Sequence, residues 1–139
     1  DLSSGDLCNI SICCLYPCTP FVKPNFLEES YLLLLKNKTR FVYPVISYDH
    51  PFERRMRMNS KNILEYEEPL NVNKKTQDCK TFYHDAGQFY WGFMNKWLNS
   101  NQIHDGAIGY DLSSEILYDI DNKEDFIKAK LIYKALYKS

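Results

Sequence analysis

The sequence predicts one α/β domain built on an open, mostly parallel β-sheet. An apolar run, a helix-like segment and a second apolar run follow one another near the start, and this strand–helix–strand order is typical of a parallel pair with a right-handed connection. The length of 139 residues, with 45% hydrophobic and 25% charged residues, suits one folded domain. No repeat, low-complexity tract or linker divides residues 1–139.

The first crossover unit is predicted from three segments. Residues 8–16 are short, apolar and β-rich, and Pro17 ends them, so they predict a buried strand. Residues 25–37 predict a helix with Asn25 as its cap. Residues 40–48 predict the next strand, in which Pro44 indicates an edge position or a bulge.

Residues 50–80 are polar and weakly periodic, and they predict an excursion from the main sheet. Short strands are expected near residues 55–58 and 63–66, within either an arm or a solvated loop.

The rest of the chain returns to regular elements. The sequence predicts strands and helices in this order: strand 87–92, helix 94–99, strands 108–110 and 115–118, and helix 122–138. In the last helix, the helical spacing of Phe126, Ala129, Tyr133 and Leu136 predicts a core-facing stripe.

Charge and hydropathy exclude two classes of partner. The formal net charge is −1, so no basic field favours nucleic acid. The longest apolar runs are too short to span a bilayer. Because neither a basic region nor a long apolar region is seen at the start, no signal peptide is predicted and a cytoplasmic location is expected.

Four of the five cysteines lie in one short stretch. They are Cys8, Cys13, Cys14 and Cys18, and the fifth is Cys79. The spacing of Cys14 and Cys18 is compatible with zinc, yet no second Cys/His pair follows. The favoured interpretation is that they are small buried residues in a reducing compartment.

The clearest chemical signal is Asp119-Ile120-Asp121, directly after a predicted strand. Strand alternation places both carboxylates on one side. Mg²⁺ relieves their repulsion, since it takes one or two carboxylates together with substrate phosphates. Helix capping by Asp121 or Asn122 is the alternative, and the sequence leaves both open.

A second signal is the run Tyr83-His84-Asp85-Ala86-Gly87-Gln88-Phe89-Tyr90-Trp91. His84 is suited to acid–base work near neutral pH, and the aromatic side chains are suited to walling a sugar. The alternative is an aromatic core strand preceded by turn residues.

The excursion also carries a group of cationic side chains. They are suited either to binding a carboxylate or phosphate or to forming a solvated charged face, and the sequence leaves both interpretations open. These residues are Arg54, Arg55, Arg57, Lys74 and Lys75.

Four blocks of the sequence together resemble those of pseudaminic acid cytidylyltransferases, relatives of the CMP-sialic acid synthetases (acylneuraminate cytidylyltransferases). Residues 15–21 resemble their Tyr-Pro-Thr-Ala-Pro-Phe block, and residues 76–78 resemble their Arg-Ser-Gln-Asp segment. Residues 83–92 resemble their His-Asp block, and residues 119–126 resemble the block that closes the fold. The blocks come in the family's order and span nearly the whole chain.

The resemblance implies an α/β fold of the nucleotidyltransferase (nucleotide-diphospho-sugar transferase) type. It implies transfer of CMP from CTP to the anomeric hydroxyl of a nonulosonic acid, with release of pyrophosphate. Asp119 and Asp121 match the family's catalytic Mg²⁺ ligands. We expect the substrate-binding residues to be Tyr16, Thr19, Arg54, Lys75, Gln77, His84, Asp85, Gly87 and Gln88. The excursion resembles the family's dimerisation arm.

Two of the departures from the family pattern bear most on activity, besides Asn122 in place of a threonine and Cys18 at a position that is usually not a thiol. Family members begin with a strand and a Gly/Arg/Lys-rich loop that cradles the CTP phosphates, and no such N-terminal nucleotide-binding segment is found here. We therefore expect weak or no activity from this chain alone, and a homodimer or a partner chain that supplies the segment. The alternative is a non-catalytic module that binds an acidic sugar or a partner. Lys75 also replaces an arginine, which weakens bidentate carboxylate recognition.

Overall fold

The computed structural model describes residues 9–137. These residues form seven β-strands and three α-helices. In chain order they are β1 (Ser11–Leu15), α1 (Pro24–Lys36), β2 (Val42–Ser47), β3 (Met56–Met58), β4 (Leu64–Tyr66), β5 (Tyr83–Asp85), β6 (Phe89–Phe93), α2 (Met94–Asn99), β7 (Ile108–Asp111) and α3 (Lys123–Tyr137). Residues 8 and 138, at the outer ends of two predicted elements, lie outside the described part.

The main sheet is mixed, with the strand order β1-β6-β2-β5 and with β7 paired to β2. β6 runs antiparallel to β1, from Ser11 opposite Phe93 to Leu15 opposite Phe89. It is also antiparallel to β2, whereas β2 and β7 are parallel. The α/β class is confirmed, but the predicted mostly parallel sheet is not observed.

The reason is the position of β6. The strand–helix–strand unit predicted a neighbouring parallel pair, but β6 returns between β1 and β2 and pairs with both. β1 and β2 therefore point in the same direction without touching, because each is antiparallel to the strand between them.

β2 is an internal strand, so the edge position predicted from Pro44 is wrong. The backbone carbonyls of Phe41 and Val45 accept hydrogen bonds from the β7 side, while that of Pro44 accepts the amide N–H of Ala86 at 3.1 Å. Proline has no N–H, so Pro44 donates no hydrogen bond on the side of β2 where Ala86 lies. The chain on that side is the connection between β5 and β6 and not a strand, so the sheet loses few hydrogen bonds.

The core of the sheet unit lies between α1 and the strands. Leu34, Val42 and Phe93 form its fully packed centre. The helix begins at Pro24, and Lys23 occupies the cap position without a side-chain hydrogen bond, so the predicted cap at Asn25 is wrong. Proline suits the first helical position because it needs no donor there.

The described chain divides into two compact units, residues 46–84 and the remainder. The smaller unit contains the antiparallel hairpin of β3 and β4, close to the strands predicted near residues 55–58 and 63–66. Inside it, Lys74 donates to the carboxylate of Glu53 at 2.6 Å. The predicted excursion of residues 50–80 lies in this unit.

The end of the chain departs from two predictions. Residues 115–118 form no strand. Of the predicted core stripe on α3, only Ala129 is buried, while Phe126, Tyr133 and Leu136 are exposed. A helical apolar stripe identifies the face that needs cover, and nothing in the described part of the chain covers most of this one.

The cysteines are less buried than predicted. Cys13 is half-buried, while Cys14 and Cys18 are exposed. β1 is an edge strand of the described sheet, which leaves part of its surface open. Cys8 lies outside the described residues.

None of the helices in residues 9–137 combines the length and the apolar character that a membrane crossing requires.

Candidate functional site

A tight turn between β5 and β6 is the centre of the candidate site. The Asp85 carboxylate accepts the Gly87 amide N–H at 2.8 Å through Oδ1 and the Tyr90 hydroxyl at 2.7 Å through Oδ2. Gly87 has φ +63°, a conformation that glycine adopts without steric cost. The carboxylate thus fixes both the turn and the first part of β6.

Gln88 follows the turn and is 1% exposed. Its amide Nε2 donates to the Ala86 carbonyl at 2.8 Å, which fixes the orientation of the side chain. Its Oε1 accepts no hydrogen bond in the structure. Since a buried unsatisfied acceptor costs about 1–3 kcal/mol, this oxygen favours a donor from water or a ligand.

The loop after β1 lies against this turn. The Tyr16 amide N–H donates to the Gln88 carbonyl at 3.0 Å, and the Tyr16 and Tyr90 rings are 5.3 Å apart. The Thr19 hydroxyl donates to the Tyr16 carbonyl at 2.7 Å and so holds the loop closed. These residues stand at the C-terminal end of β1, where ligands bind in α/β sheets.

The Asp119–Asp121 segment reaches the same place. The Ile120 amide N–H donates to the Cys18 carbonyl at 3.1 Å. A Cβ added to Gly87 would lie 3.7 Å from Asp119 Oδ2, so this carboxylate faces the turn. Both carboxylate residues are exposed.

Of the two candidates for the cap of α3, Asp121 and Asn122, the structure shows Asn122 in that role. Its side-chain Oδ1 accepts the amide N–H groups of Glu124 at 2.9 Å and Asp125 at 3.0 Å. Capping therefore requires neither Asp119 nor Asp121. Within residues 9–137, no group of three or more His, Cys, Asp or Glu side chains is arranged to hold a metal ion.

The smaller unit holds the other predicted binding residues. Arg54 Nη2 donates to the Thr76 hydroxyl at 2.9 Å, which places the guanidinium next to the turn that carries Lys75 and Gln77. Lys75 and Gln77 are exposed. His84 lies apart from them, with its ring 4.9 Å from that of Tyr48.

The structure adds two side chains, Tyr43 and His104, that the sequence did not identify as site residues. The Tyr43 ring lies 5.5 Å from the Tyr90 ring and 5.2 Å from the imidazole of His104. His104 Nδ1 is 3.6 Å from Asp85 Oδ2. Burial raises the pKa of Tyr43 and Tyr90, and the Asp85 charge raises both further, so the phenols stay protonated. No local motif signals Tyr43 or His104, because both are far in sequence from Asp85 and Tyr90.

Comparisons with known proteins support the resemblance. The chain is 29% identical over 131 residues to a pseudaminic acid cytidylyltransferase of Campylobacter jejuni serotype O:23/36, covering 92% of this chain and 56% of that protein. The corresponding protein of serotype O:2 is 28% identical over the same shares. A Helicobacter pylori protein is 31% identical over 78% of this chain and 21% of its own length; it is named pseudaminic acid cytidylyltransferase and UDP-2,4-diacetamido-2,4,6-trideoxy-beta-L-altropyranose hydrolase.

No family model matches the chain. The chain spans about half the length of the two Campylobacter relatives. The similarity extends over nearly all of this chain, so the resemblance to pseudaminic acid cytidylyltransferases that its motifs predicted is confirmed.

Proposed function

We propose that this chain forms the sugar- and magnesium-binding part of a cytidylyltransferase that activates a nonulosonic acid of the pseudaminic type. The full reaction joins CMP from CTP to the anomeric hydroxyl of the sugar and releases pyrophosphate. The curated relatives carry the name of this activity, but the chain spans only 56% of the two Campylobacter proteins. Turnover is therefore proposed only together with a nucleotide-binding segment, which a further segment or a partner chain would supply.

One observation carries the proposal. Three segments that are distant in sequence meet at the C-terminal end of β1, and each contributes residues of the resembling blocks. Tyr16 and Gln88 are joined by a backbone hydrogen bond, and Asp119 faces Gly87. If residues 88–93 served only to pack the core, a buried acceptor without a protein donor would not be expected among them, yet Gln88 Oε1 is such an acceptor.

Asp119 and Asp121 are the proposed holders of Mg²⁺. The donor set fits the ion, since Mg²⁺ binds one or two carboxylates and completes its shell with substrate phosphates and water. When bound, the ion neutralises phosphate charge during nucleotidyl transfer. Asn122 caps α3, so neither aspartate is committed to the helix.

The turn and loop are the proposed sugar side. Gln88 Oε1 is suited to accept a hydroxyl or amide N–H of the sugar, and the Tyr16 ring is suited to pack on its apolar face.

Arg54 is proposed as a contact for the sugar carboxylate. Lys75 stands where the resembling motif has arginine, and an ammonium group does not reproduce a bidentate fork. Arg54 is held to Thr76, the residue after Lys75, so a guanidinium is present beside that position.

The experiment is calorimetric titration of CTP and of CMP-pseudaminic acid into the chain, with and without Mg²⁺. We expect binding that requires Mg²⁺ in the wild type and is lost in Asp119→Ala and Asp121→Ala. Glu28→Ala is the matched control, because it removes an equally exposed carboxylate from α1 and should bind like the wild type.

Two results would contradict parts of the proposal. Unchanged binding in both aspartate variants removes the magnesium assignment. Binding of the sugar nucleotide that ignores Mg²⁺ and CTP supports instead a non-catalytic module for acidic sugars.

A further inference from the structure

His104 lies outside the motifs of the sequence but next to the centre of the site. It belongs to the segment between α2 and β7, and its Nδ1 is 3.6 Å from Asp85 Oδ2. Its ring stands edge-on to Tyr43, with 5.2 Å between the centroids and a 90° interplanar angle. The packing fixes one side of the imidazole, while 63% of the side chain remains accessible to solvent and therefore to protons.

The charges around His104 make Asp85 its natural partner. Tyr43 and Tyr90 face the imidazole from β2 and β6, and both stay neutral because their pKa values are raised. Asp105 is the adjacent residue and lines the same surface cleft of about 550 Å³. Asp85 is the carboxylate within ion-pair distance.

The geometry separates the two protonation states of the imidazole. A distance of 3.6 Å is too long for a hydrogen bond from a neutral ring. A protonated ring at that distance attracts the carboxylate as a charge. Asp85 Oδ1 accepts the Gly87 amide N–H, and Oδ2, the oxygen near the imidazole, accepts the Tyr90 hydroxyl, so the turn, β6 and His104 all approach the same carboxylate.

We propose that His104 is a positioning residue, which in its protonated form steadies the Asp85 carboxylate and with it the turn from Asp85 to Gln88. This inference rests on the proposed function, because that turn presents Gln88 and adjoins Asp119. His104 is not itself proposed as a contact of the sugar. His84, the histidine that the motif favoured, has its ring against Tyr48 in the smaller unit.

The first test needs no ligand. Hydrogen exchange of the Gly87 amide is measured by NMR at one pH near 6 in the wild type, His104→Phe and His104→Gln. Phenylalanine keeps the ring contacts but removes the nitrogen, whereas glutamine keeps a nitrogen donor on the side chain. We expect exchange about two- to fivefold faster in His104→Phe, the range of a partly exposed ion pair, and close to wild type in His104→Gln. His50→Phe in the smaller unit is the control and should leave the Gly87 amide unchanged.

The second test measures the affinity for CMP-pseudaminic acid at the same single pH in the wild type, His104→Phe and His104→Gln. We expect His104→Phe to bind about two- to fivefold more weakly than the wild type, and His104→Gln to bind close to the wild type. Equal Gly87 exchange in the wild type and His104→Phe would overturn the inference, as would equal affinity of these two proteins for CMP-pseudaminic acid.

The two proposals fail in different ways. If the wild type does not bind the sugar nucleotide while Gly87 exchange still responds to His104→Phe, the proposed function is overturned and the role of His104 in the turn stands. If the wild type binds and neither readout responds, the inference is overturned and the function stands. Should His104→Phe fail to fold, His104→Ala takes its place: Gly87 exchange faster than in His104→Gln supports the inference, and equal exchange in the two variants overturns it.

Discussion

Gly87 is the residue on which the geometry of the turn depends. Its φ of +63° lies in the left-handed region, and a Cβ would meet Asp119 Oδ2 only at ordinary contact distance, 3.7 Å. The cost of Gly87→Ala is therefore conformational, and we expect a loss of about 1–2 kcal/mol in the free energy of unfolding. Urea denaturation measures it. Gly87→Asn should lose less, because asparagine tolerates this region, and an equal loss in both variants would contradict the explanation.

Gly92 gives a contrasting case, since its limit is space. A Cβ there would lie 2.6 Å from the Phe41 ring and 2.9 Å from Trp97 Nε1. Gly87 is thus required by backbone conformation and Gly92 by close packing, a distinction that the sequence alone does not make.

The thiols of β1 differ in chemistry because they differ in environment. Burial, and then the neighbouring Cys14, raise the pKa of Cys13 to about 11. The thiolate is the reactive form, so at pH 8 about one Cys13 thiol in a thousand is ready to react. We expect iodoacetamide to modify exposed Cys14 and Cys18 first and Cys13 only as the pH nears 11. Fragment-ion mass spectrometry of the peptide separates the sites, and early labelling of Cys13 would contradict the assignment.

The same residues show how far sequence reasoning reached. The motifs identified Tyr16, Gly87, Gln88 and Asp119, and the structure brings these together, although their roles stay predictions. The sequence left the cap of α3 open between Asp121 and Asn122, because either spacing suits a cap. The local backbone at the start of the helix makes the choice, because there Asn122 Oδ1 accepts the amide N–H groups of Glu124 and Asp125.

At the scale of elements, local signals located most segments but not their pairing. The helix of residues 94–99 was predicted with its observed bounds, and β2 was predicted to within two residues. The antiparallel insertion of β6 was missed, because strand pairing is decided by contacts between segments far apart in sequence. Short aromatic runs such as β6 fit either direction equally well.

Helix α3 was predicted correctly as an element, but its surroundings were not. Leu131 is 60% exposed and Ala129 is 5% exposed. If the apolar face is free in solution, Leu131→Gln should change the free energy of unfolding by less than about 0.5 kcal/mol. Ala129→Leu should cost about 1–3 kcal/mol by overpacking. Urea denaturation of both variants tests this, and a loss above about 2 kcal/mol in Leu131→Gln would show that another chain or copy covers the face.

At the scale of the whole molecule, the described chain leaves several apolar surfaces without cover. The exposed face of α3 is one, and the hairpin of the smaller unit is another. A surface of this kind on a soluble domain marks an interaction site. The chain spans 56% of its Campylobacter relatives, so the uncovered surfaces agree with the proposed need for a second copy or a further segment.

The hairpin offers the sharpest test of a second copy. Met56 is opposite Tyr66 and Met58 is opposite Leu64, so the four side chains share one face of the ribbon, and all are exposed. A two-stranded ribbon is marginally stable alone, which favours cover by the same arm of another chain. We expect Met58→Lys to shift the protein from dimer to monomer in light scattering after gel filtration.

Arg57→Ser is the matched control for that substitution. Arg57 lies on the opposite face of the ribbon and pairs with Glu67 at 2.5 Å, and its side chain is 75% exposed. An exposed ion pair contributes at most about 1 kcal/mol, so its loss should leave the molar mass unchanged. A monomeric wild type would contradict dimerisation through the arm, and a dimer that survives Met58→Lys would place the interface elsewhere. In the second case the exposed face of α3 becomes the next surface to substitute, because its apolar area is also uncovered in the described chain.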